Sequence, residues 1–151
     1  MVEERIKELG FDFPETARPL AVYVPAVFAN NFVFTAGQIP SVKGELKYKG
    51  KLGKELKEEE GKKASEICIL NCLAAVKRVV GNLDRVEQIV KVSVFVNSSE
   101  GFTNQPEVAN GASELLEKIF GEKGKHARSA IGVSELPRNA AVEIEMICKI
   151  S

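Results

Sequence analysis

His126-Ala127-Arg128-Ser129-Ala130-Ile131-Gly132-Val133 and, past the turn Ser134-Glu135-Leu136-Pro137-Arg138-Asn139, the run from Ala140 to Ile150 decide how this chain folds. A period of two makes both runs strands. In the second, Val142, Ile144, Met146, Cys148 and Ile150 share one face, and Ala141, Glu143, Glu145 and Lys149 share the other. In the first, Ser129, Ile131 and Val133 alternate with Arg128, Ala130 and Gly132. If the apolar side of each strand covers the same core, the two form a closing hairpin with Arg128 on the face that carries Glu143 and Glu145. An arginine between small residues, facing carboxylates across a sheet, is a candidate anion-binding and acid/base site.

Upstream, Ile89 to Asn97 is another strand, with Val90, Val92, Val94 and Val96 on one face and Lys91, Ser93, Phe95 and Asn97 on the other. Asn104, Gln105 and Pro106 announce a helix whose stripe is Val108, Ala112, Leu115 and Ile119, ended by Gly121. A longer helix runs from about Glu58 to Val80, with Gly81 past its end. Its stripes of Ala64, Ile67, Cys68, Ala75 and Val79 and of Ile69, Leu73, Val76 and Val80 require cover on both sides. Leu20 to Phe28 and Phe32 to Ala36 read as a hairpin joined at Asn30-Asn31. Val2, Ile6 and Leu9 give a short first helix that Gly10 stops. The expected order is α, β, β, loop, α, β, α, β, β, an α/β (α+β) chain whose two long helices take the valine face of a mixed sheet. The other face mixes Phe95 with Lys91, Ser93 and carboxylates, so cover by another subunit is expected there.

At 151 residues and 44% hydrophobic, the chain suits one domain, 1–151, with residues 1–10 an added N-terminal helix and residues 41–57 a surface excursion. Lys plus Arg and Asp plus Glu are each 21, so no global charge favours a polyanion, and a nucleic-acid partner is not expected. The start, Met1-Val2-Glu3-Glu4-Arg5, has no leader pattern and the chain no bilayer-length apolar run; the expectation is a cytoplasmic protein without a membrane partner. Cys68, Cys72 and Cys148 fall within apolar patterns and read as buried thiols. With His126 the one histidine, no His-based or Cys/His metal cluster can form, and neither metal nor cofactor is expected. We take His126 as a polar residue at the strand edge rather than a general base, outside any Ser/His/Asp arrangement.

Several blocks together resemble the RidA/YjgF family, the reactive intermediate deaminases, also labelled liver perchloric-acid-soluble protein, endoribonuclease or translation initiation inhibitor. They are Tyr23-Val24-Pro25-Ala26-Val27, Thr35-Ala36-Gly37-Gln38-Ile39-Pro40, Asn71, Val92-Ser93-Val94-Phe95-Val96, Phe102, Asn110, Arg128-Ser129, Leu136-Pro137 and Val142-Glu143-Ile144-Glu145. The resemblance implies a chorismate-mutase-like fold, a homotrimer around a central barrel, and ligand clefts between subunits. The N-terminal helix, the longer 41–57 stretch and the wording Asn110-Gly111-Ala112-Ser113 and His126-Ala127-Arg128-Ser129-Ala130 are similar to a longer branch of the family.

The activity implied is hydrolysis of 2-imino acids to 2-keto acids and ammonia. By match to the motif, Arg128 is the carboxylate clamp and Glu143 positions the water, the pair being the catalytic residues. Ala130 offers its backbone, Tyr23 lines the pocket from the neighbouring subunit, and Ala36 completes the substrate-binding set. A planar carboxylate suits a guanidinium fork better than a point charge, and one carboxyl can shuttle the protons. Ala36 stands where many members have serine and Ala130 where some have cysteine, so a substrate different from the usual one, or bulkier, is expected. Residue chemistry alone favours Arg128 as a structural interface arginine; the motif match reverses that, while Glu145 stays an interface ion-pair candidate.

Two alternatives remain. One is a non-catalytic protein that binds small carboxylates or keto acids. The other is a ribonuclease or translation inhibitor that would use the lysines between 43 and 63, a stretch otherwise expected to be solvated and mobile.

Overall fold

The computed structural model describes residues 1–15 and 22–151. The first helix, α1 (Val2–Glu8), buries Ile6 completely and ends as expected, with Gly10 at a positive φ of 89°. Of the expected first strand, Leu20 and Ala21 lie outside the described residues; β1 (Ala26–Ala29) and β2 (Phe32–Thr35) form the hairpin. Its turn holds Asn30 and Asn31 at φ 52° and 67°, the left-handed pair a two-residue hairpin demands.

After a two-residue pair, β3 (Ser41–Val42) and β4 (Glu45–Leu46), come α2 (Glu58–Val80), β5 (Val86–Asn97), α3 (Gln105–Phe120), β6 (Ala127–Val133) and β7 (Val142–Ile150). Five strands make one mixed sheet in the order β1-β2-β7-β5-β6, and only β5 and β6 are parallel. A parallel neighbour needs a crossover, and α3 supplies it.

This order corrects the closing hairpin. The strands after Ala127 and Val142 do not pair with each other, because β5 lies between them and bonds to both. Pairing of chain neighbours is the default for short connections; here β5 offers a long apolar strand to each side.

Both long helices cover the face formed by Val33, Val92, Val94, Val96, Val142, Ile144 and Cys148, all fully buried. Cys68 and Cys72 of α2 lie on β7, with Sγ atoms 3.5 and 3.3 Å from the carbonyls of Val142 and Ile144. Burial drives the Cys68 thiol well above its ordinary range and those of Cys72 and Cys148 up to about 12, so all three are core thiols. α2 and α3 cross closely: a Cβ on Gly111 would stand 2.2 Å from the Lys62 carbonyl oxygen. Val90 is not part of the valine face. A register shift between Ile89 and Lys91 leaves it half-buried and turns Ile89 into the core instead.

The stretch between residues 41 and 57 also differs from a solvated excursion. Leu46, Leu52 and Leu56 are buried, Leu52 N–H donates to Asn97 O at 2.8 Å, and Gly50 N–H donates to Asn139 O at 2.9 Å. Buried leucines and paired backbone tie the stretch to the ends of β5 and β7. Some of its lysines are engaged as well, Lys47 with Glu45 and Lys51 with Glu135. Among the described residues, no helix is long and apolar enough to cross a membrane.

Candidate functional site

β6 is where the expected site changes most. Its register sets Val92 beside Arg128, Val94 beside Ala130 and Val96 beside Gly132, while Phe95 stands beside Ile131. Arg128, Ala130 and Gly132 therefore belong to the helix-covered face, and Ser129, Ile131 and Val133 to the open one. On β7, Glu143 pairs with Phe95 and Glu145 with Ser93, both on the open face. Arg128 and Glu143 are thus on opposite faces of one chain's sheet, contrary to the expectation from apolarity. At the Gly132 position the space beneath α3 is already taken by side chains: a Cβ there would come within 2.6 Å of Gln105 Nε2 and 3.0 Å of Ser98 Oγ. Ile131, the largest apolar residue of β6, is turned outward and is 48% exposed.

Arg128 sits half-buried under α3. Its Nη1 donates to Asn110 Oδ1 at 2.9 Å and to Ser113 Oγ at 3.1 Å. Asn110 and Ser113 are three residues apart on α3, which puts both on one helical face. None of the ion pairs among the described residues involves Arg128.

His126 is not a free edge residue. Its Nδ1 lies 2.6 Å from the Gly124 carbonyl oxygen, which can only accept, so Nδ1 carries the proton. Nε2 lies 2.9 Å from Ser113 Oγ. Burial pushes the imidazole pKa down; the Gly124 bond opposes this, and the Arg128 charge adds to the lowering. Asn110, Ser113, Glu114, Glu117, Gly124, Lys125, His126 and Arg128 line a cleft of about 360 Å³. A second cleft of about 260 Å³, beside α1, holds neither Arg128 nor Glu143.

Glu143 belongs to another group of residues. Gly37 packs on its carboxylate so closely that a Cβ there would be 2.7 Å from Oε2. The approach is held by Gln38, whose N–H donates to Ile144 O at 2.8 Å, and by Ala36, whose N–H donates to Pro25 O at 2.8 Å. Asn71 secures the following segment by donating to the Ile39 and Ser41 carbonyls. Tyr23, two residues before Pro25, is 57% exposed. Burial, and then the charge of Glu145, raise the Glu143 pKa. A raised pKa makes the ionised carboxylate a stronger base, and so a better acceptor of a proton that it can later return.

The predicted residues therefore fall into two separate groups. Arg128 and Ala130 stand under α3, and Glu143, Ala36 and Tyr23 stand at or near the junction of β1, β2 and β7. Ser113 and the bonded role of His126 were not read from the sequence. A signal existed for Ser113, the polar Asn110/Ser113 pair at helical spacing beside an otherwise apolar stripe. Among the described residues, no group of His, Cys, Asp and Glu could hold a metal ion.

Residues 3–150 match the family described as "YjgF/chorismate mutase-like, putative endoribonuclease". Protein TCP17 of Trypanosoma cruzi is 40% identical over 151 residues, which is 99% of this chain and 94% of that protein. A 2-iminobutanoate/2-iminopropanoate deaminase of Dermatophagoides farinae is 29% identical over 138 residues, 91% of this chain and 92% of that one. Among crystal structures, an Agrobacterium tumefaciens protein of unknown function superposes with a TM-score of 0.94 at 38% identity, covering 99% of this chain and 92% of its own. A "putative endoribonuclease" of Shewanella oneidensis gives 0.95 at 31% identity, covering 99% of both chains.

Proposed function

The chain belongs to the YjgF/chorismate mutase-like family, and from that premise we propose that it hydrolyses small 2-imino acids to 2-keto acids and ammonia, in clefts between the subunits of a homotrimer. The observation that carries this reading is the Arg128 guanidinium, held at Nη1 by Asn110 and Ser113 and in direct ion pair with no carboxylate among the described residues. An oriented fork in a cleft, without a direct ion-pair partner, matches a planar carboxylate ligand.

A substrate that touches both Arg128 and Glu143 needs two copies of the chain, since the two stand on opposite faces of one sheet. One copy supplies Arg128 and the backbone of Ala130, and its neighbour supplies Glu143, Gly37, Ala36 and Tyr23. Val27, Phe34 and Ile131, 51%, 44% and 48% exposed, give the open face the apolar character of a subunit contact. In the reaction, Glu143 takes a proton from water as the water oxygen bonds to the imine carbon. It returns that proton to the nitrogen, which gives a carbinolamine, and then carries the hydroxyl proton to the same nitrogen as the C–N bond breaks, so that ammonia leaves and the C=O of the keto acid forms.

Ala36 and Ala130 bring neither hydroxyl nor thiol to the cleft, and that favours one second reading, a binder of 2-keto acids without turnover. Ammonia release from enzymatically generated 2-iminobutanoate or 2-iminopropanoate separates the two. The expected result is acceleration over the spontaneous rate, lowered roughly 10²- to 10³-fold in Arg128→Ala, as for loss of one partner of a desolvated charge pair. No acceleration by the wild type, or full activity in Arg128→Ala, sinks the deaminase reading. Stoichiometric 2-keto acid binding that requires Arg128 but gives no turnover selects the binder.

A further inference from the structure

We propose that His126, acting through Ser113, is a positioning residue for the Arg128 clamp; this rests on the carboxylate-binding reading of Arg128. Ser113 Oγ stands between two groups, 2.9 Å from His126 Nε2 and 3.1 Å from Arg128 Nη1. A hydroxyl has one hydrogen to give, and its direction follows from which neighbour can accept it. A guanidinium cannot. Because the His126 Nδ1 proton is committed to the Gly124 carbonyl at 2.6 Å, Nε2 is the bare nitrogen and takes the hydroxyl hydrogen. That leaves a Ser113 lone pair directed at Nη1. With Asn110 Oδ1 as its second acceptor, Nη1 is held by two bonds, which sets the plane of the guanidinium. Both holds fall on Nη1, so neither engages the Nε and Nη2 donors that a ligand carboxylate would meet.

The arrangement depends on His126 being neutral. Protonation of Nε2 would remove the acceptor that orients Ser113 and set an imidazolium against Arg128. The other charged groups lining the cleft are Glu114 and Glu117 on α3 and Lys125 beside the imidazole, with β5 contributing the uncharged Gln88, which donates to the Lys125 carbonyl. The lowered pKa of His126 agrees with a neutral ring in this setting.

As the chain's one histidine, His126 gives unambiguous ring signals in nuclear magnetic resonance. Nitrogen-correlated spectra of the full-length protein are expected to show the Nδ1-protonated tautomer, and Arg128→Gln is expected to move the ring's titration midpoint upward. The functional arm measures KM and kcat for the imine, and calorimetric binding of 2-oxobutanoate, in the wild type, H126A, H126Q, S113A and R128A. H126A and S113A are expected to raise KM and the 2-oxobutanoate Kd about tenfold with kcat within about twofold, the pattern of lost ground-state binding. H126Q can place an amide oxygen near the Nε2 position and is expected to recover most of the loss. If H126A does not fold, S113A and H126Q carry the comparison. Ligand binding unchanged in H126A and S113A while R128A has lost it overturns the proposal alone. Loss of kcat with KM kept in S113A also overturns it, in favour of a nucleophilic serine. Binding unchanged in R128A overturns the carboxylate reading itself.

Discussion

On the helix side of the sheet, Val92, Val94, Val96 and Ile144 are completely buried, whereas on the other side Phe34 and Ile131 keep 44% and 48% of their surface exposed. One chain closes the first face by itself, with α2 and α3 laid over it. Nothing among the described residues closes the second. The two groups of predicted site residues divide in the same way. Arg128 is oriented by its own chain, through α3, before any partner or ligand arrives, while Glu143 waits on the open face beside Gly37 with only a like charge for company. The difference teaches that Arg128 is oriented by folding alone, whereas on the proposed reading Glu143 becomes part of a site only by assembly.

Truncation on each face breaks this comparison if it is wrong. Ile144→Ala removes a buried side chain between β7 and the helices and is expected to cost about 2–5 kcal/mol. The loss should appear as a lower denaturant midpoint that does not depend on protein concentration. Ile131→Glu is expected to leave the far-ultraviolet circular dichroism of the chain unchanged but to dissociate the oligomer, since an unpaired carboxylate in a buried contact costs on the order of several kcal/mol. Sedimentation velocity checks this. A wild type that sediments as single chains would remove the open face from the argument, and with it the two-copy site.

Elements with long local signals were legible from the sequence. The bounds of α2 at Glu58 and Val80 followed from its apolar stripes and from Gly81, and the alternation of β7 named its buried residues in full. What failed was non-local. Period two tells which residues of β6 share a face, not which face turns inward, and apolarity pointed Ile131 the wrong way because the register with β5 sets it beside Phe95 on the open face. The insertion of β5 between β6 and β7 depends on pairings far apart in the chain, which short-range patterns do not encode. Leu46, Leu52 and Leu56 are spaced by glycines and lysines without period, so their burial was invisible. For the site, the motif names residues but not their placement on the two faces, and the contact of His126 with Ser113 depends on the turn at residues 121–124 that brings strand and helix together.

The finest test uses the sign of a small effect at Glu143. In the lone chain, burial and Glu145 raise this carboxyl's pKa, so the ionised form is disfavoured in the folded state. Above the raised folded pKa both states are ionised and the fold bears the whole penalty. As pH falls through that value the folded state takes up its proton first and stability rises, until the unfolded carboxyl is protonated too. Glu143→Gln, made in the dissociated Ile131→Glu background, should therefore stabilise the chain at pH 7.5 by under about 1 kcal/mol, given that a half-exposed group is screened by solvent. That gain should fade as pH approaches the ordinary carboxylate range. In the assembled protein the proposed site sets a neighbour's Arg128 across the cleft, and an ionised Glu143 then has a cation to face. There Glu143→Gln should be neutral or destabilising at pH 7.5. Thermal melts of the substitution in both backgrounds decide the point: an equal gain in each would mean that no cation meets Glu143 on assembly, and the two groups would then have to be assigned to separate roles.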